Sequence, residues 1–436
     1  MNDSPFFSNA PDNAITWVFA IALILGLLLK FWLASRQIRH VAQNRNAVPP
    51  AFSEQITLQA HQKAADYTIV QTRFGLLELA WGAALCTGWT LLGGLNALNQ
   101  WLLGLIAPGL IQQLALLAAF AAIGTLLDLP FSLYKTFVIE ERFGFNKITP
   151  RLWFLDFIKM LVLGALLGLP LGALILWMMQ ATGNYWWLWT WGVWMGFNLL
   201  MLIIFPTWIA PWFNKFKPLD QPELQFRVKA LMARCGFNAK GFYVMDGSKR
   251  SAHANAYFTG LGSSKRVVFF DTLLQQLKPA EVDAVLAHEL GHFKHRHVLK
   301  RMVSLFAMSL AGFMLLGWLS GQVWFYTGLG VLPDWHGRNS ALALLLFMLF
   351  VPLLTSFITP LFSQLSRRHE FEADAFAVAH TSGADLSNAL LKLYRDNAST
   401  LTPDPLYVRF YYSHPPASER LARMGHAAGV AFAARV

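Results

Sequence analysis

Residues 286–293 read Leu-Ala-His-Glu-Leu-Gly-His-Phe, so His288, Glu289 and His292 form an H-E-x-x-H. Two histidines four apart on a helix project from one face, the spacing that offers one metal ion two neutral imidazole nitrogens. A single Zn2+ per chain suits the pair, with each nitrogen about 2 Å from the metal. Glu289 is offset by one residue and faces a water polarised by the metal. There it can act as general base and then hand the proton to a leaving amine. The chemistry implied is hydrolysis of a peptide bond.

Two histidines leave a catalytic zinc one protein ligand short. The candidate lies downstream, in His369-Glu370-Phe371-Glu372-Ala373-Asp374. Glu370 and Asp374 share a helix face, so Glu370 can ligate while Asp374 orients a histidine ligand by accepting its second N–H. Glu372 points elsewhere on that helix. His369 is the rival third ligand, and spacing alone does not separate the two. His295 and His297 follow the motif among Lys294 and Arg296. They read as a solvated basic face beside lipid headgroups rather than as further ligands.

These groups need elements to hold them. Pro279, followed by Glu281 and Asp283, opens a helix for the H-E-x-x-H, with proline in the first turn and acids at the positive dipole end. Around it the chain is membrane-like: of 436 residues 55% are hydrophobic and 14% charged, where soluble proteins carry roughly a quarter charged. Seven apolar segments are long enough to cross a bilayer as helices: 15–34, 74–95, 110–127, 152–179, 185–207, 302–325 and 340–362. Glu78, Asp156, Lys159 and Asn198 lie in or beside them, and Asp156 and Lys159 are spaced to pair.

The net charge of +11 sits on alternate loops, not in a basic run interleaved with aromatics, which excludes nucleic acid as a partner. Arg36, Arg39, Arg45, Lys63 and Arg73 lie in the first loop; Lys135, Arg142, Lys147 and Arg151 lie in the third; the long fifth is strongly basic. The even loops are nearly bare, with only Arg338 in the sixth. That alternation places the N-terminus outside and the candidate site on the cytoplasmic side. Met1–Ala14 lacks the basic leader of a cleaved signal peptide, and Cys86 and Cys235 form no disulfide framework.

The expected fold class is mainly α: seven transmembrane helices plus a small α+β zinc-metalloprotease part. Residues 1–209 would hold spans one to five, and 210–301 a cytoplasmic loop with the H-E-x-x-H. Residues 302–362 would hold spans six and seven, and 363–436 a cytoplasmic part with the third ligand. Short strands are expected at 242–245, 256–259 and 267–270, the middle one an edge that an extended peptide can join by main-chain hydrogen bonds.

The pairing of His288–His292 with Glu370-Phe371-Glu372-Ala373-Asp374 resembles the type I CAAX prenyl endopeptidases, polytopic zinc proteases of the membrane. The resemblance extends to Thr136–Asn146 (Thr-Phe-Val-Ile-Glu-Glu-Arg-Phe-Gly-Phe-Asn), to His253–Gly260 (His-Ala-Asn-Ala-Tyr-Phe-Thr-Gly), and to Tyr412-Ser413-His414-Pro415-Pro416 with Glu419-Arg420. It implies seven helices around a large water-filled chamber and assigns zinc to His288, His292 and Glu370. It also implies that Asn255 and His414 contact substrate or the developing oxyanion. From the residues alone, Asn255 reads as a turn residue and His414 as a residue before a Pro-Pro stop. The C-terminus, Ala433-Ala434-Arg435-Val436, carries no retrieval signal, and the loops are compact, as expected of a bacterial inner-membrane member. The partners expected are a lipid bilayer and a peptide or protein substrate, prenylated or membrane-associated. A quality-control protease without a prenyl requirement is the first alternative. A metal transporter fits less well, because its ligands would lie at mid-membrane on broken helices.

Overall fold

Backbone in hydrocarbon must satisfy its own hydrogen bonds, so the apolar segments fold as helices. The computed structural model describes residues 10–237, 241–259, 266–334 and 339–433. Gly260, Arg338 and both ends of the chain lie outside them. Ala14–Gln43, Leu110–Glu140, Pro150–Ala181, Gly183–Phe213 and His297–Leu319 are each long and apolar enough to cross a membrane. Two bent pairs make seven if each is one span: Leu58–Trp89 with Gly94–Leu103, bent by 50°, and Ser340–Thr355 with Thr359–His380, bent by 65°. The sixth helix stops at Leu319 rather than 325, and a separate turn of helix, Val323–Thr327, follows it.

The 65° bend positions the candidate site. Pro352 lies in the last turn of Ser340–Thr355, and Pro360 opens the next helix. Neither proline has an N–H to continue the ladder. The second limb, Thr359–His380, then lies across the H-E-x-x-H helix, Pro279–Lys294. At the crossing a Cβ on Gly291 would sit 2.9 Å from Ala373 Cα, so glycine is required there.

The small sheet contains the three expected strands and one more. In chain order they are β1 (Phe216–Pro218), β2 (Gly241–Met245), β3 (Ala256–Thr259) and β4 (Arg266–Phe270). Their spatial order is β1-β2-β4-β3, with β2 and β4 parallel and the outer pairs antiparallel. Three residues with a proline carry too little periodicity for β1 to be read from sequence. β3 is an edge, as expected. Its pairing starts with Phe270 N–H donating to Asn255 O (3.0 Å), and antiparallel partners alternate between bonded and non-bonded pairs. With Ala256 opposite Phe269 and Phe258 opposite Val267, the main-chain groups of Ala256 and Phe258 therefore point to the open side.

Sheet and soluble helices share one apolar core, including Val228, Leu231, Val267, Phe269, Leu286 and Leu290. Polar contacts join it to the membrane helices and tie those helices to one another. Leu110–Tyr134 runs on into a π-helical turn, Lys135–Glu140. There Glu140 accepts from Tyr67 Oη (2.7 Å) and Gln71 Nε2 (2.9 Å). Asn146 bridges to Ser251. Asp156 pairs with Lys159 at 3.6 Å and more closely with Arg250 at 2.9 Å, while Asn198 donates to Trp194 O within its own helix (2.8 Å).

Candidate metal centre

The helix Pro279–Lys294 is set from both flanks. Glu281 accepts from Lys278 N (2.7 Å) and from Lys392 Nζ (2.6 Å), while Asp283 takes Arg227 Nη2 (2.6 Å). Its buried face carries Leu286, Ala287, Leu290 and Gly291, and that packing fixes where the neighbouring imidazoles point.

His288 Nε2 and His292 Nε2 are 3.3 Å apart. Glu370 Oε1 is 3.3 Å from His292 Nε2, and Oε2 is 3.5 Å from His288 Nε2. Among the described residues these three side chains form the one group whose ligand atoms converge, all within 4.8 Å. Ligands about 2.05 Å from a tetrahedral zinc are separated from one another by about 3.3 Å. Glu370 Oε2 is buried and makes no close hydrogen bond, its nearest donors being His288 Nε2 at 3.5 Å and Arg420 Nη1 at 3.8 Å. A buried anionic oxygen so loosely paired is costly, and an ion between the three groups would satisfy it. The donor set fits a metal.

Behind His288, Asp374 Oδ1 lies 2.9 Å from Nδ1. Arg420 clamps the same carboxylate from the other side, Nε to Oδ2 at 2.8 Å and Nη2 to Oδ1 at 2.6 Å. Burial opposes ionisation of Asp374 and of Glu370, yet hydrogen bonds hold both below the usual carboxylate range, from His288 and Arg420 in one case and from the two histidines in the other. Burial pushes His288 down, and the two carboxylates outweigh it and raise the imidazole. Arg420 was not singled out for this work from sequence, because its partner lies 46 residues away.

Glu289 is half-buried, one residue from His288, and no described side chain hydrogen-bonds its carboxylate. His414 is exposed, with Nε2 3.4 Å from Glu370 Oε1. A cavity of about 450 Å3 reaches it, lined also by Tyr67, Gln71, Asn397, Tyr407 and Tyr412. No hydrogen bond joins Asn255 to the cluster among the described residues; its Oδ1 accepts from Ala256 N (2.8 Å) on the open side of β3. His369 stays out of the ligand group, its ring stacked on His297 with centroids 4.0 Å apart. The basic-face reading of His297 is corrected: its side chain is 5% exposed and bonds Glu372 Oε2 at 2.8 Å. Glu372 thus points away from the ligand atoms, as expected, but toward a histidine. His295 is exposed, as that reading requires.

Known proteins resemble the chain over most of its length. Residues 37–215 match the model of the CAAX prenyl protease N-terminal region, described as five membrane helices, and residues 218–428 match peptidase family M48. The chain is 32% identical to CAAX prenyl protease 1 of Saccharomyces cerevisiae over 96% of each chain. Identity is 30% to the human CAAX prenyl protease 1 homolog, covering 93% of this chain and 94% of that one. The crystal structure of S. mikatae Ste24p superposes with a TM-score of 0.88 at 30% identity, covering 94% of this chain and 98% of that one. These relatives are eukaryotic and give the expected bacterial origin no support.

Proposed function

The chain belongs to peptidase family M48 and is an integral membrane metalloendopeptidase, and from that premise we propose that it uses one zinc ion to cleave prenylated, membrane-associated proteins near their C-termini. The observation that carries the zinc reading is the convergence of His288, His292 and Glu370, whose ligand atoms all lie within 4.8 Å of one another. The substrate class follows the names of its relatives, CAAX prenyl proteases.

Zinc held there would supply a Lewis acid and lower the pKa of water toward neutrality. The chain's own residues do the rest. Glu289 takes the proton of the attacking water as the new C–O bond forms, and delivers it to the leaving nitrogen as the carbonyl reforms and the amide C–N bond breaks. Asp374 keeps the His288 lone pair on Nε2 by accepting the Nδ1 proton. His414, beside Glu370 and on the cavity, donates to the oxyanion that develops on the scissile carbonyl. Asn255 lies where a substrate strand would join β3, and releasing Ala256 N would free its amide for the substrate backbone. The site faces the cytoplasm, where the basic loops lie. Its catalytic body is assembled from residues 210–301 and 363–436, brought together by the two spans between them.

Metal per purified chain, measured beside cleavage of a farnesylated reporter peptide, tests this. Glu289→Gln should keep its zinc and lose turnover by several orders of magnitude, because all three ligands remain. Glu370→Ala should lose zinc, and activity with it, whereas His369→Ala should keep it. An active Glu289→Gln would end the mechanism. Equal cleavage of the unprenylated peptide would favour the quality-control role.

A further inference from the structure

His288 has an evident support in Asp374; the support for His292 is less obvious. Its Nδ1 lies 3.0 Å from His297 Nδ1. Two ring nitrogens that close need one proton between them, because two lone pairs or two N–H groups would repel. His292 Nε2 faces His288 and Glu370 at 3.3 Å from each. If that nitrogen offers its lone pair to a metal, the ring proton sits on Nδ1 and is donated to His297. The proton of His297 then lies on Nε2, which is 2.8 Å from Glu372 Oε2.

We infer that His297 and Glu372 are positioning residues for the zinc site, a directed chain of hydrogen bonds that fixes the tautomer and ring plane of His292. The inference rests on the zinc reading above. The chain begins in the interior, with His297 5% exposed, and ends at the surface, where the Glu372 side chain is 42% exposed. Two independent features hold His297 in place. The ring of His369 lies against it with an interplanar angle of 14°. Arg296, just before it, adopts φ 56° and ψ 33°, a left-handed conformation unfavourable for a residue with a side chain. That turn ends one helix and starts the next within three residues, and it swings His297 back toward His292. Backbone strain of this kind persists where the surroundings over-determine it.

The test uses the full-length chain in detergent, with zinc affinity and release rate measured against a chelator and the absorption spectrum of the Co2+-substituted protein. His297→Ala should bind zinc about 10–100-fold more weakly, the usual effect of removing such a partner, and should shift the cobalt bands. His297→Gln, which can still accept and donate, should recover part of the loss. Glu372→Ala should weaken binding less than His297→Ala, and Lys294→Ala, in the same tract but exposed and with no ring against His297, should match wild type. A role in packing alone would lower the melting temperature while leaving the affinity and cobalt spectrum of the folded chain unchanged. Wild-type affinity in His297→Ala, with zinc bound normally by the parent chain and lost from His288→Ala, would overturn this inference and leave the zinc site standing. Full zinc in His288→Ala would overturn the site itself.

Discussion

Asp374 has two partners of different character, a histidine it orients and an arginine that keeps it ionised. Losing one member of a buried ion pair leaves an uncompensated charge and costs about 3–5 kcal/mol, whereas losing both often costs little. Arg420→Met should therefore be strongly destabilised, and Asp374→Asn with Arg420→Met should regain much of that stability. Zinc affinity should not follow, because no ionised acceptor then remains behind His288; it should stay about 10–100-fold weaker. Melting temperature and chelator competition on the two variants separate the effects, and a double variant that recovered affinity would remove Asp374 from the site. What was legible here and what was not divides by distance along the chain. His288, Glu289 and His292, like Glu370 and Asp374, declare themselves by helical spacing within five residues. Arg420 is 46 residues from Asp374, and His297 is 75 from Glu372. No local period joins such partners, so the roles of Arg420, His297 and Glu372 had to wait for the fold.

Helices rather than single residues decide how closely Glu370 approaches the histidines. The crossing of Pro279–Lys294 and Thr359–His380 is a contact of Gly291 with buried Ala373. Both small residues stand inside the motifs, in His288-Glu289-Leu290-Gly291-His292 and Glu372-Ala373-Asp374, but their smallness reads as packing only once the crossing is known. Gly291→Ala drives a Cβ into backbone atoms that cannot rotate away, so the helices must separate by some tenths of an ångström. Overpacking of this kind costs about 1–3 kcal/mol. Here it also stretches the ligand triangle, so zinc release should quicken even at temperatures where the protein remains folded. Release at the wild-type rate would mean that the crossing has slack. The edge strand gives a second expectation at this scale. Phe258→Pro removes a main-chain N–H on the open side of β3 and leaves the ladder to β4 intact, a position where an edge strand tolerates proline. Cleavage should fall sharply with zinc content unchanged, while Phe258→Ala, which keeps the N–H, should fall less. Equal activity in both would place the substrate elsewhere. The β-branched and aromatic residues of 256–259 and 267–270 made these strands legible; β1 was too short to register.

Across the whole molecule, the contacts decide how often the chain crosses the membrane. His292 touches Glu370, and the stretch between them contains the span His297–Leu319. The chain must return before Glu370, so the bent pair Ser340–Thr355 with Thr359–His380 contains the return crossing. The same reasoning applies to Tyr67 and Glu140, which are in contact across Leu58–Trp89, Gly94–Leu103 and Leu110–Glu140. The first bent pair must also cross, which makes seven spans in all. Hydropathy alone made this number legible, because a bend leaves composition untouched. The bend angles were not legible, since they depend on how the breaks, at Gly93 in one pair and at Pro352 and Pro360 in the other, sit against neighbouring helices. Odd parity then puts Ala14, where the first span begins, across the membrane from the candidate site, with the basic loops on the site's face. Single cysteines test which face it is. Cys86 and Cys235 are both buried, so background labelling should be low. Asn184, in the first turn of the fifth span, and Gln221, before the H-E-x-x-H, are both exposed. In sealed right-side-out vesicles an impermeant maleimide should label Asn184→Cys and leave Gln221→Cys untouched until detergent is added. Labelling of Gln221→Cys in intact vesicles would invert the assignment, and the substrate would then have to reach the site from the other side of the membrane.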